Sequence, residues 1–267
     1  MAVEPQLWID GRPASADDLR QMAIVNYGAV TSFNYADGGV RGLDLHMERL
    51  AASARELFQL SLDESSVRNQ LRAALDAVDA AWVRVTLTAP SMSLRAPEAV
   101  ERLAVGIWVS PPAAPMADGL RVMTMRHQRE LAHLKHLGTT GVIHARRKAR
   151  LAGYDDALLT GEVGLILEGT LWNIGFLQGN RVVWPEGTML DGVTRRLISG
   201  GLENTGVTQV IRPVSLGDLE QFDGAFACNA ATPAASIASI NDYVLGSNPD
   251  AIARLRQAWE SQPVQSI

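Results

Sequence analysis

Lysine is nearly missing from this chain. The 24 Lys plus Arg residues include only Lys135 and Lys148, and arginine supplies the rest. Cysteine is missing too, apart from Cys228, which excludes an internal disulfide and fits a reducing compartment. No stretch approaches the roughly 20 apolar residues that span a bilayer. The segment MAVEPQLWIDG has no charged region followed by an apolar one, so a cytoplasmic protein with no membrane partner is expected. Positive charge is not in excess: the net charge of −5 and pI near 5.6 give no electrostatic reason to expect nucleic acid. What is present is ordinary for a globular protein that binds small molecules, with 47% apolar and 20% charged residues. At 267 residues the chain is long enough for one large domain or two modest ones.

The pattern along the chain alternates helix and strand. LWIDGRP reads as a hairpin turning at Asp10-Gly11. HMERLAASARELFQL places Leu50, Ala54, Leu57 and Phe58 on one helical face, and SSVRNQLRAALDAVDAA repeats the pattern with Val67, Leu71, Ala74 and Val78 behind capping serines. WVRVTLT and RLAVGIWV read as strands. The Pro-rich SPPAAPMADG is the linker candidate, so residues 1–112 are expected as an N-terminal α/β domain, 113–119 as linker and 120–267 as a C-terminal α/β domain carrying Lys135. In that second part LRVMTM is a strand and VIHARRKARLAG a helix ending at Gly153. ALLT is a strand, GLILEGTLWNIGFLQGNRVVWP a hairpin around Gln178-Gly179-Asn180, and DGVTRRLISGGLENTG a helix. TQVIRPV, GAFACNAATP and ASIASIND supply further strands or loops. The class is mixed α and β.

The two lysines differ in their neighbours. Lys148 lies in ARRKAR, a charge run that reads as a solvated helix face. Lys135 lies in LAHLKHL between His133 and His136, and Asp155 and Asp156 are the only acids between Leu131 and Gly161. Burial disfavours the charged form of an amine, and a neutral amine is a nucleophile that forms a Schiff base with a carbonyl. The bland alternative is a lysine that snorkels at a strand end.

Four separated segments, taken in order, resemble one family. HMERL is similar to H-x-x-R-L, LKHL to a Schiff-base lysine segment, GLILEGTLWNIGF to G-x-x-x-E-x-x-x-x-N-x-x-F, and LDGVTR to L-x-G-[IV]-T-R. They resemble the class IV aminotransferases, fold type IV pyridoxal-phosphate enzymes that include branched-chain and D-amino-acid aminotransferases and aminodeoxychorismate lyase. The resemblance runs from about Tyr27 to Asp242. It implies a two-domain α/β fold, a homodimer, and pyridoxal 5′-phosphate (PLP) held through a Schiff base on Lys135. It further implies that Glu168 keeps the cofactor's ring nitrogen protonated and that Asn173 orients the hairpin or that carboxylate. Arg49, the Val193 backbone and Thr194 at a helix start would bind the phosphate, as a guanidinium fork and free N–H groups suit an anion.

Departures from the family pattern bear on the reaction. After Lys135 the chain reads GTTGV where relatives often carry a tyrosine, so the group contacting the cofactor's ring oxygen is not assigned. LKHL and CNAATP lean toward the lyase branch, and Asn229 and Ala230 of the latter are expected at the cofactor. VTSF places Thr31 among the expected substrate contacts; in TLTAPSMSLRAP the arginine of the D-amino-acid branch is replaced by Ala89, leaving Arg95 as the nearby cation. The expected activity is amino-group transfer between an amino acid or amine and a 2-oxo acid. The alternative is 4-amino-4-deoxychorismate lyase, and the different-class alternatives are a cofactor-free binding protein on the same scaffold and a nucleic-acid module built on ARRKAR.

Overall fold

The computed structural model describes residues 4–203 and 205–267. Met1–Val3 of the N-terminal segment and Asn204 of the expected DGVTRRLISGGLENTG helix lie outside those residues. The described chain forms two compact units. One holds the residues up to Ala113 together with Leu134–Gly138 and Val264–Ile267; the other holds Ala114–His133 and Thr139–Pro263.

The first unit runs β1 (Gln6–Ile9), β2 (Arg12–Pro13), α1 (Ala16–Ile24), β3 (Ala29–Ala36), β4 (Gly39–Arg41), α2 (Leu43–Phe58), α3 (Glu64–Ala74), β5 (Ala80–Thr88) and β6 (Ala104–Ser110). Its strands form one antiparallel sheet ordered C-terminal strand (Val264–Ser266), β4, β3, β5, β6, β1, β2. Asp10 and Gly11 take φ of 50° and 75°, the positive pair that a two-residue hairpin with native twist requires. Phe33, Val83, Val85 and Leu87 pack with Leu43, Met47, Leu50, Ala54 and Phe58 of α2 and Leu71 of α3 in one core. Each of the Val, Leu, Met and Phe side chains among them contributes on the order of 1.5–3 kcal/mol by leaving water. Two local expectations are corrected. The cap of α3 is Asp63, which accepts from Ser66 N–H, rather than a serine, and the helix ends at Ala74, so Val78 packs from the following turn, where Ala77 takes φ of 59°.

The second unit runs β7 (Leu120–Arg126), α4 (Thr140–Leu151), β8 (Asp156–Thr160), β9 (Ile166–Gly169), β10 (Asn173–Gln178), β11 (Arg181–Pro185), α5 (Val193–Leu202), β12 (Thr208–Arg212), β13 (Gly224–Asn229), β14 (Thr232–Ile240), β15 (Tyr243–Val244) and α6 (Pro249–Glu260). The sheet order is β12-β11-β10-β13-β14-β7-β8-β9, with β15 on β14. Pairing is parallel at β11/β12, β14/β7 and β7/β8 and antiparallel elsewhere. Trp184, Phe226, Ile198 and Leu202 share a core with Ile252 and Leu255 of α6. Cys228 is in that core, and burial pushes its thiol up to about 12, so it is a packing residue rather than a nucleophile. No helix among the described residues is long and apolar enough to cross a membrane.

Lys135 groups with the first unit, not with the C-terminal part of the chain in which its sequence position puts it. Val30 N–H donates to Lys135 O at 2.8 Å and Leu137 N–H to Gly28 O at 2.9 Å, so Leu134–Gly138 is stitched to β3 of the first unit.

Candidate active site

In the first unit the site grows from β3. An antiparallel bridge between Ala29 and His136 sets the register of the lysine segment on the strand. The fit depends on Gly28: its φ is 158°, and a Cβ there would lie 2.3 Å from Leu87 O and 3.0 Å from Leu137 Cδ1. Lys135 is half-buried rather than buried, while Lys148 stands exposed on α4 as the charge run implied. Leu134, beside it, is in the core.

Thr31 and Arg49 belong to the same unit. Thr31 is 0% exposed, and its Oγ1 lies 2.6 Å from His46 Nδ1 in a hydrogen bond. The hydroxyl expected to meet substrate is turned to His46 of α2. His46 also packs on Phe33, with centroids 5.0 Å apart. Burial first, then the charges of Arg49 and Lys135, hold the imidazole's pKa well below its usual 6.5, so His46 is neutral at neutral pH. Arg49 is half-buried one helical turn after His46, with the interior side of α2 fixed by Met47 and Leu50. Arg95 is exposed in the loop between β5 and β6, which does not single it out as a binding cation. Arg84, not singled out in the sequence, is half-buried on β5 directly opposite Ser32 of β3. Burial lowers its pKa, and no acidic side chain among the described residues pairs with it.

In the second unit the site grows from the turn between β9 and β10. Glu168, the third residue of β9, is 7% exposed. A carboxylate this deep needs a counter-charge, and Arg129 supplies it: Nε donates to Oε1 at 2.9 Å while Nη2 donates to Ala132 O at 2.5 Å. Asn173 opens β10, and with Glu168 it clasps the backbone of Leu190. Leu190 N–H donates to Glu168 Oε2 at 3.4 Å, and Asn173 Nδ2 donates to Leu190 O at 2.8 Å. Asn173 Oδ1 also lies where a Cβ on Gly192 would be, 2.0 Å away. The carboxylate, the asparagine and the approach to α5 are therefore one tied assembly.

That approach ends at the N-terminus of α5. Gly192 is its N-cap, no side chain caps it and no acid sits in its first turn. Val193 and Thr194 are buried there, and the first-turn N–H groups together with the helix dipole suit an anion. Arg195 stacks over Trp184 at 5.3 Å, which keeps a cation beside the same turn. Asn229 and Ala230 are half-buried at the end of β13. The Asn229 carboxamide is committed locally, accepting from Ala231 N–H at 3.0 Å and donating to Leu171 O at 3.4 Å, so the side chain braces the turn after Glu168.

Taken separately, each unit carries groups whose chemistry suits part of a phosphorylated pyridine aldehyde. The first unit holds a lysine fixed by its backbone to a strand; the second holds a buried carboxylate with its counter-charge and an anion seat at an uncapped helix start. Comparison with known proteins agrees. A sequence model of the family described as Amino-transferase class IV matches residues 28–240. A probable branched-chain-amino-acid aminotransferase of Rickettsia bellii is 27% identical over 217 residues, covering 77% of this chain and 75% of its own. Among solved structures, a 4-amino-4-deoxychorismate lyase from Pseudomonas aeruginosa superposes with a TM-score of 0.83 at 25% identity, covering 96% of this chain and 98% of the other. A hypothetical aminotransferase from Mycobacterium tuberculosis, solved in a PLP-bound form, superposes with a TM-score of 0.78 at 20% identity, covering 95% and 97%. The motifs, the two residue assemblies and the match over most of the chain place it in the class IV aminotransferase family.

Proposed function

We propose that this chain is a pyridoxal 5′-phosphate-dependent aminotransferase that moves an amino group between an amino acid or amine and a 2-oxo acid, working as a homodimer in the cytoplasm. The observation that carries the reading is the shared hold on Leu190, which makes the buried Glu168–Arg129 pair, Asn173 and the start of α5 one rigid piece. Bound there, the cofactor supplies an aldehyde for an imine and a protonated ring that accepts the electron pair left when a Cα proton departs. Lys135 Nζ would hold the cofactor covalently and, once freed by the donor amine, would serve as the base that takes the donor's Cα proton and as the acid that gives it back. Glu168 holds the proton on the ring nitrogen, and Arg129 keeps the carboxylate's charge compensated in a buried place. Arg49, the Val193 N–H and the Thr194 hydroxyl hold the phosphate. Arg84 is the cation for a substrate carboxylate, because it is half-buried and no acidic side chain among the described residues pairs with it.

The test uses a single amino donor with no 2-oxo acid. It should convert the cofactor's visible absorption stoichiometrically to that of pyridoxamine 5′-phosphate, and pyruvate should then restore it. The second reading is aminodeoxychorismate lyase, favoured by LKHL, by CNAATP and by the 25% identity to the Pseudomonas aeruginosa enzyme. If no donor achieves the conversion while aminodeoxychorismate yields pyruvate at every turnover, the lyase reading replaces the transaminase.

A further inference from the structure

Asp156 opens β8 and is 4% exposed. Three protein donors hydrogen-bond its carboxylate and a fourth group pairs with it. Oδ1 accepts from its neighbour Ala157 N–H at 2.8 Å and from the Thr170 hydroxyl at 2.7 Å. Oδ2 accepts from the Trp172 indole N–H at 3.1 Å and lies 3.5 Å from Arg146 Nε. Thr170 and Trp172 are buried and belong to one turn, closed by Gly169 N–H donating to Trp172 O at 2.8 Å. The β8/β9 ladder stops at the Leu158–Gly169 pair, so beyond that point the turn is tied to β8 by Asp156. Glu168 is the residue before this turn and Asn173 the residue after it.

We infer that Asp156 is a positioning residue for Glu168: by gripping Thr170 and Trp172 it fixes the turn from which Glu168 and Asn173 project. The inference rests on the reading of Glu168 as the partner of the cofactor's ring nitrogen. Among the described residues the Asp156 carboxylate bonds Ala157, Thr170 and Trp172 and pairs with Arg146, so it acts through the backbone of the turn. A group that must meet a ring nitrogen has to be held within about half an ångström, and a turn tied only at its two strand ends does not do that. The charge suits the task because two donors approach different oxygens of one carboxylate, which a neutral amide cannot accept at both ends.

The experiment is a double-mutant cycle read by cofactor affinity. Apo-protein of the wild type, Asp156→Asn, Glu168→Gln and the double variant is titrated with pyridoxal 5′-phosphate, and the melting temperature of each apo-protein is recorded. Asp156→Asn should raise the cofactor Kd roughly tenfold in the wild-type background and leave it unchanged in the Glu168→Gln background, because it acts through that residue. The fall in melting temperature should be the same in both backgrounds. Additive Kd effects, or an unchanged Kd in Asp156→Asn, overturn the proposal while leaving the reading of Glu168 intact. An unchanged Kd in Glu168→Gln itself overturns that reading, and the proposal with it. Should Asp156→Asn not fold, Thr170→Val deletes one of the two grips and carries the same cycle, with a Kd change of about threefold and the same dependence on Glu168.

Discussion

Lys135 reaches its place by a long excursion: Leu134–Gly138 leaves the chain between β7 and α4 and docks on β3, a strand about a hundred residues earlier. Glu168 and Asn173 need no such journey. They flank a single turn, and the Leu190 backbone they share follows less than twenty residues on. The lysine is therefore held by backbone hydrogen bonds and a glycine that permits close approach, whereas the carboxylate is held by side chains and charge. A backbone-held group tolerates changes in its neighbours, but a charge-held group does not, because removing one partner leaves a buried charge behind.

The largest effect should separate the two lysines. Lys135→Ala should abolish turnover and the adduct that borohydride fixes between cofactor and protein, while Lys148→Ala, on the exposed face of α4, leaves both. Peptide mapping of the reduced adduct to Lys148 would overturn the assignment. Next, Glu168→Gln should still be saturable with cofactor but lose turnover by about 10²- to 10⁴-fold, the usual range when a proton is no longer held where the reaction needs it. Wild-type turnover in that variant would remove Glu168 from the site.

The same contrast explains what could be read in the sequence. HMERL, GLILEGTLWN and LDGVTR are short, and their residues keep fixed spacing on one element or one turn, so the sequence alone proposes Arg49, Glu168, Asn173 and Thr194 as site residues. What escaped was the partner that comes from elsewhere. The need for a cation beside Glu168 was legible from burial alone, yet Arg129 lies 39 residues away in an irregular segment with no period to flag it. Thr31 was singled out as polar, but that its hydroxyl turns to His46 depends on β3 packing under α2, and AVTSFNYA, with few β-branched residues, did not read as a strand. Arg95 drew attention by proximity in sequence, whereas strand register decides which arginine lies opposite Ser32. Both α1 and α6 carry local start signals, a capping box at Ser15–Asp18 and Asn248 with Pro249.

Arg129→Gln should sharpen the contrast from the stability side. It removes the Arg129–Glu168 ion pair from a buried carboxylate, so the second unit should lose about 3–5 kcal/mol in denaturant unfolding. Arg129→Gln combined with Glu168→Gln should recover part of that loss, since no charge is then stranded; a double variant as unstable as the single would show that packing, not charge, sets the cost. A smaller effect is expected at the two candidate substrate cations. Arg84→Ala should raise KM for a dicarboxylate partner about tenfold with little change for an apolar amino donor, and Arg95→Ala should change neither.

The smallest effect tests the first unit by pH. Burial and the nearby charges of Arg49 and Lys135 hold the pKa of His46 well below 6.5 in the folded protein, while in the unfolded chain the ring titrates near 6.5. Below pH 6.5 the unfolded state therefore carries one more proton at this residue than the native state, so stability present above that pH is lost as pH falls. The slope approaches about 1.4 kcal/mol per pH unit. The window between about pH 6.5 and 5 is the useful one, because the lowered carboxyls of Asp63, Asp118 and Asp218 add their own losses only nearer their ordinary value of 3.8. His46→Gln keeps a side chain able to meet the Thr31 hydroxyl but has nothing to titrate. Urea unfolding of the two apo-proteins should show the wild type losing stability relative to His46→Gln on going from pH 6.5 to 5. Parallel stability curves across that window would mean that His46 takes up its proton without opening the α2–β3 packing, and the neutral, buried imidazole described above would have to be abandoned.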